Sequence, residues 1–147
     1  MRCGFGLVFA VALAACTLPT EAEVEAPEAV EIAALDAPSP PPEARRADEF
    51  DTTTEEQRKA ALDPAENGVL IGRAVLTLGD PGRAGFWVES ELVSQASEGR
   101  IELEDGGKSI EVALLPTSGS GRISLAALRL LEVPLTAIVE VDVFENQ

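Results

Sequence analysis

Residues 69–147 read as a mainly β domain, a small barrel carrying one embedded helix. Apolar and polar residues alternate there in runs of strand length, and Gly- and Pro-containing turns separate the runs. A single Ser-capped, leucine-rich stretch breaks the alternation. The segment is about 79 residues long. At that size, closing the sheet on itself removes edges that would otherwise pair with other chains.

Val69 to Leu78 is apolar on both faces, as a central strand requires, and Gly79-Asp80-Pro81-Gly82 turns the chain. Phe86 and Val88 share one strand face, with Trp87 and Glu89 on the other. Ile101 and Leu103 oppose Arg100, Glu102 and Glu104, the pattern of a half-buried strand. Asp105-Gly106-Gly107 predicts a hairpin into Lys108–Leu115. After Pro116 and a loop of Ser, Gly and Thr, Ser124 is placed to cap a helix over Leu125–Leu131. There Leu125, Leu128 and Leu131 form one stripe. Beyond Pro134, residues Leu135, Ala137, Val139, Val141 and Val143 share a face of a last strand reaching Phe144.

The amino-terminal half differs. From Thr17 to Gly68 the chain carries 14 acidic residues against Arg45, Arg46, Arg58 and Lys59, and includes Pro38-Ser39-Pro40-Pro41-Pro42. Such a composition predicts a disordered acidic tether, stiffened locally by polyproline II. One short helix is expected inside it. Asp51-Thr52-Thr53-Thr54 offers capping oxygens, Glu55, Glu56 and Gln57 suit a first turn, and Arg58-Lys59 suit the last. Asp63-Pro64 ends it.

Residues 1–15 read as a lipoprotein signal peptide: a short basic start, then an apolar run from Phe5 to Leu13 that is too short to span a bilayer. Leu13-Ala14-Ala15-Cys16 resembles the bacterial lipobox, which makes Cys16 the expected lipidation site and the N-terminus of the mature chain. The only other cysteine, Cys3, lies within the leader, so the mature chain forms no internal disulfide. Acylation by several chains gives durable membrane attachment. Thr17 follows the cysteine, which points to the outer membrane, on its periplasmic face. The domain plan is therefore signal peptide 1–15, lipidated linker 16–68 and barrel 69–147.

The formal net charge is −15, and loss of Arg2 with the leader makes it −16. That balance excludes nucleic acid as a partner, because such binding needs clustered basic residues. The absence of histidine removes the commonest general base and metal ligand. One Trp, five Phe and no Tyr make the core aliphatic.

Three runs carry a family resemblance: Gly107-Lys108-Ser109-Ile110-Glu111-Val112, Gly121-Arg122-Ile123-Ser124-Leu125 and Val139-Glu140-Val141-Asp142-Val143. With Gly99-Arg100-Ile101-Glu102-Leu103 before them, they resemble the double-psi β-barrel domain of the rare lipoprotein A family. The resemblance spans about Gly99 to Phe144, roughly a third of the chain. It implies a double-psi-like barrel in the cell envelope. Catalytic members cleave peptidoglycan with a His and an Asp. This chain has no His, and has Leu115-Pro116-Thr117-Ser118 where the acid should follow the strand. The linker and Gly85-Phe86-Trp87 also resemble short alphaproteobacterial lipoproteins, so a degenerate, non-catalytic barrel is expected.

No catalytic set, cofactor site or metal site can be assembled from these residues. Glu102, Glu104 and Glu111 alternate with apolar residues and suit solvated strand faces better than paired acid–base carboxylates. Asp80 and Asp105 lack calcium-loop spacing. Trp87 could stack on a sugar ring or anchor a protein, or it could close the rim of the core. Arg100 and Arg122 could add polar contacts. The expected role is binding of cell-wall glycan or an envelope protein without catalysis. The alternatives are a divergent peptidoglycan lytic transglycosylase and a purely structural lipoprotein.

Overall fold

The computed structural model describes residues 33–104 and 107–147. The expected signal peptide, Cys16 and the turn expected at Asp105-Gly106 lie outside the described residues. Six strands close into a barrel: β1 (Val69–Leu78), β2 (Trp87–Ser90), β3 (Ser97–Leu103), β4 (Ser109–Pro116), β5 (Gly121–Ile123) and β6 (Val139–Glu145). Around the barrel the order is β1-β5-β2-β4-β3-β6. The β1–β5 and β2–β4 pairs are parallel and the other four are antiparallel.

Alternation sets the interior. Ala74, Leu76, Val88, Ile101, Ile110, Val112, Leu114, Ile123, Val141 and Val143 are buried together inside. Each such aliphatic side chain larger than Ala contributes about 1.5–3 kcal/mol relative to exposure. Helix α3 (Leu125–Leu130) joins that core through Ala126, Ala127 and Leu128. Ser124 caps it: its buried hydroxyl oxygen accepts from the Ala127 N–H at 3.2 Å. The same oxygen accepts from the Trp87 N–H at 3.2 Å, so one side chain fixes both the helix start and its seat against β2. The helix ends with Glu132 at φ 61°, where the Val133 N–H returns to the Leu128 carbonyl at 3.0 Å.

Two strands depart from the pattern in the sequence. β5 is a strand where only a loop running into the helix was expected; three residues are too few to show a period, and tertiary pairing with β1 and β2 creates it. β6 begins at Val139 because Pro134 starts a turn, closed by the Ala137 N–H on the Pro134 carbonyl at 3.0 Å, that consumes Leu135–Ile138.

The larger correction concerns residues 33–68, expected to be a disordered tether. They form a 3-10 turn (Ala33–Leu35), α1 (Ala47–Phe50) and α2 (Glu55–Ala61), a strap laid over the outer face of the barrel. Ala44, Thr53 and Ala61 of the strap are buried. α2 is closed at its start by a reciprocal pair: the Gln57 N–H donates to the Thr54 hydroxyl at 3.2 Å, and the Thr54 N–H donates to the Gln57 side chain at 2.8 Å. The Asp51 carboxylate, only 4% exposed, holds Arg58 at 3.5 Å and Arg129 of α3 at 3.1 Å, and accepts from the Thr53 hydroxyl at 2.5 Å. Thr52 donates to the Pro38 carbonyl and the Gln57 amide to the Asp36 carbonyl. Few apolar contacts but many directed polar ones therefore hold the strap, and composition alone does not reveal those.

Among the described residues no helix is long and apolar enough to cross a membrane.

Candidate functional site

At one end of the barrel, the β1–β2 turn, the end of β2, the β4–β5 loop and β5 surround a polar groove of about 380 Å³. It is lined by Gly79, Asp80, Glu89, Thr117, Ser120 and Arg122, with Gly119 between the two hydroxyl residues. Register places Arg122 of β5 opposite Glu89 of β2 and Thr77 of β1, all on the outer face. Glu89 is bound by Arg83 at 2.7 Å. Asp80 accepts the Gly82 N–H at 2.8 Å, which closes its turn. The Thr117 hydroxyl accepts the Gly119 N–H at 3.2 Å. Arg122 is exposed, and its only polar contact among the described residues is a long one of 3.4 Å to the Leu78 carbonyl. The groove thus holds two oriented carboxylates, two hydroxyls and one guanidinium without an ion-pair partner among the described residues.

Trp87 lies beneath this groove rather than in it. It is 1% exposed, on the outer sheet face with Ala113 and Leu115, and the strap residues Ala34 and Leu35 pack over it. Its indole N–H donates to the Arg83 carbonyl at 3.1 Å, and the Arg83 guanidinium sits 4.9 Å from the ring centre. Gly79 passes so close that a Cβ there would stand 2.3 Å from the indole. Of the two roles open to Trp87, the structure matches a buried packing residue and not an exposed stacking platform, and the strap residues Ala34 and Leu35 cover it. It supports the groove floor instead.

Arg100 is not part of the groove. Two strands, β2 and β4, separate its strand from β5. Its guanidinium lies 3.5 Å from the centre of the Phe144 ring and pairs with Glu102 at 3.1 Å. The structure thus brings Arg122 and Trp87 together and leaves Arg100 elsewhere. Asp80, Glu89, Thr117 and Ser120 were not singled out as ligand contacts. Their only shared signal is position at the ends of strands that the sequence does not order around a barrel.

Of the carboxyl groups weighed as catalytic, Glu104 is pushed above its ordinary value chiefly by a hydrogen bond with Glu140, against the opposing pull of Arg73. Glu111 is pushed up by burial and then by Glu98. Neither lines the groove. Among the described residues no three His, Cys, Asp or Glu side chains converge to hold a metal ion.

Comparisons with protein-family models, with curated proteins and with solved structures return no match to this chain.

Proposed function

We propose that this chain is a lipid-anchored envelope module, attached through Cys16 to the outer membrane and facing the periplasm, that binds cell-wall glycan without cleaving it. The observation that carries the reading is the polar groove with Arg122, which has no ion-pair partner among the described residues. Oriented carboxylates accept sugar hydroxyls, Thr117 and Ser120 serve as donors or acceptors, and Arg122 suits an acidic substituent on the sugar. Glu89 is already committed to Arg83, and Asp80 to its own turn, which suits fixed hydrogen-bonding positions better than proton transfer. The resemblance to the rare lipoprotein A domain points to the same cell-envelope setting, although a fold by itself assigns no activity. An envelope protein is the second reading, favoured by exposed Leu70 and Val75 on β1 and Ile138 beside it.

Co-sedimentation with purified peptidoglycan sacculi tests this. The protein is expected to sediment with sacculi, and Arg122→Ala to lower the retained fraction at least about fivefold, the loss of one charge-assisted contact. Equal retention of both proteins, or none of either, would contradict the glycan reading. A clearing band in a peptidoglycan zymogram would overturn the absence of catalysis.

A further inference from the structure

A second cavity lies between the strap and the barrel, away from the polar groove. It has a volume of about 270 Å³ and opens between the 3-10 turn, α2 and the outer face of β4. Ala33, Ala34, Ala60, Ala61 and Phe86 make it largely apolar, and Glu111 of β4 is part of its lining. Among the described residues the Glu111 carboxylate has neither an ion pair nor a hydrogen bond, although it is only partly exposed.

The cations that could neutralise it are turned away. Arg100, its cross-strand neighbour on β3, lies over Phe144 and pairs with Glu102. Arg58 of α2 is held by Asp51 and Thr53, and Lys59 beside it is exposed and makes no ion pair among the described residues. Among the described residues the remaining charges nearby are negative. Glu98 of β3, which reaches the Ala33 N–H at 3.3 Å, repels Glu111, and Asp36 lines the cavity mouth. An unneutralised carboxylate beside apolar walls costs free energy that a bound cation recovers.

We propose that this cavity binds a small organic ammonium ion, its charged head on Glu111 and its aliphatic body against Ala34, Ala60 and Phe86. The size fits: roughly 150 Å³ holds a benzene-sized guest, so a space of about 270 Å³ accepts a six-membered ring with an aminomethyl arm. The charge fits as well, since a chain of net charge −15 attracts monocations to its surface before any contact forms. Burial and the Glu98 charge, which push the Glu111 carboxyl above its ordinary value, oppose its ionisation in the empty cavity, and a cation offsets both. Enclosure by the strap on one side and the sheet on the other favours a free small molecule over a side chain of a large partner.

The test is a titration of the 15N-labelled protein with cyclohexylmethylammonium, followed by amide chemical shifts, with neutral cyclohexylmethanol as comparator. Saturable shifts are expected at Ala33, Ala34, Gln57 and Ala60 with the amine and not with the alcohol. Glu111→Gln is expected to weaken binding tenfold or more while keeping a dispersed spectrum, because it removes an uncompensated charge without changing shape. Should that variant fail to fold, Ala60→Leu, on the solvent-accessible part of the cavity wall, is expected to fill the cavity and abolish the shifts. Binding to Glu111→Gln within twofold of the parent would overturn the proposal. So would equal binding of the alcohol, undiminished binding to Ala60→Leu, or shifts scattered over exposed carboxylates such as Glu55 and Glu66. Loss of glycan binding in Arg122→Ala leaves this result untouched.

Discussion

The barrel interior and the strap are held by opposite means. Inside, Leu76, Ile101, Ile110, Leu114, Leu128 and Val143 are fully buried, and among the described residues no polar side chain except Ser124 shares that degree of burial. Outside, residues 33–61 bury mainly alanines, and their position depends on the Asp51 carboxylate, the Thr54–Gln57 pair and hydrogen bonds to the backbone. An apolar interior tolerates changes of identity if volume is kept. A strap fixed by directed contacts does not, because each depends on one partner at one distance. Stability should therefore reside in the barrel, and the shape of both candidate sites in the strap and the loops.

The side chain that joins the outer face of the sheet to the strap should give the largest effect when removed. Trp87 is packed on Ala113 and Leu115 of the sheet and under Ala34 and Leu35 of the strap. Trp87→Ala is expected to cost about 3–5 kcal/mol in chemical denaturation, a large share of what a domain of this size has. A loss below about 1 kcal/mol would mean that the strap does not pack on the ring.

An intermediate effect is expected where the strap meets the sheet through backbone alone. Gly85 has φ +87°, and a Cβ there would stand 2.6 Å from the Ala34 carbonyl oxygen, which accepts the Phe86 N–H at 2.8 Å. Gly85→Val combines that clash with a left-handed backbone, a strain of about 1–3 kcal/mol. It is expected to lift the 3-10 turn and shift the single-Trp emission to longer wavelength while the barrel stays folded. Unchanged emission would show that the strap is not seated on Gly85.

The smallest effect separates the two regions by charge. Among the described residues the buried interior has no ionisable side chain, whereas the outer face has Glu111 and the Glu104–Glu140 pair. Both Glu104 and Glu111 are raised above the ordinary carboxyl value of 4.5, so the folded state holds their protons more tightly than the unfolded chain. Their contribution is fully present below pH 4.5 and is lost as pH rises through the folded-state values. The thermal midpoint should thus increase on mild acidification from pH 7, and Glu111→Gln should raise it at pH 7 and flatten the dependence. A midpoint that falls between pH 7 and about pH 5 would contradict this assignment.

The interior was legible because period-two alternation is a property of each strand alone. The opposed faces of Ile101 and Arg100 and the Ser124 cap follow from neighbours in sequence, whereas Val69–Leu78, read as apolar on both faces, buries Ala74 and Leu76 and leaves Val69, Leu70 and Val75 exposed. β5 was not legible, since Gly121–Ile123 is extended only by virtue of its partners Leu76 and Val88. The strap was misread for a related reason. Its composition matches disorder, yet the α2 cap was visible and was the one local sign of order, while the Asp51–Arg129 pair spans two distant parts of the chain. Arg122 was visible as a candidate, but its companions Asp80, Glu89 and Ser120 meet it only through the order of strands around the barrel.

The central claim is that residues 33–61 belong to the folded domain and close its outer face. Limited proteolysis followed by intact-mass measurement tests it most directly, since flexible segments are cut first. Arg45, Arg46, Arg58 and Lys59 offer trypsin four sites within the strap. The protected fragment is expected to retain residues 33–68, with Asp51→Asn opening those sites by releasing Arg58 and Arg129. Rapid trimming of the parent protein to a core beginning near Val69, with its thermal midpoint unchanged, would contradict the account.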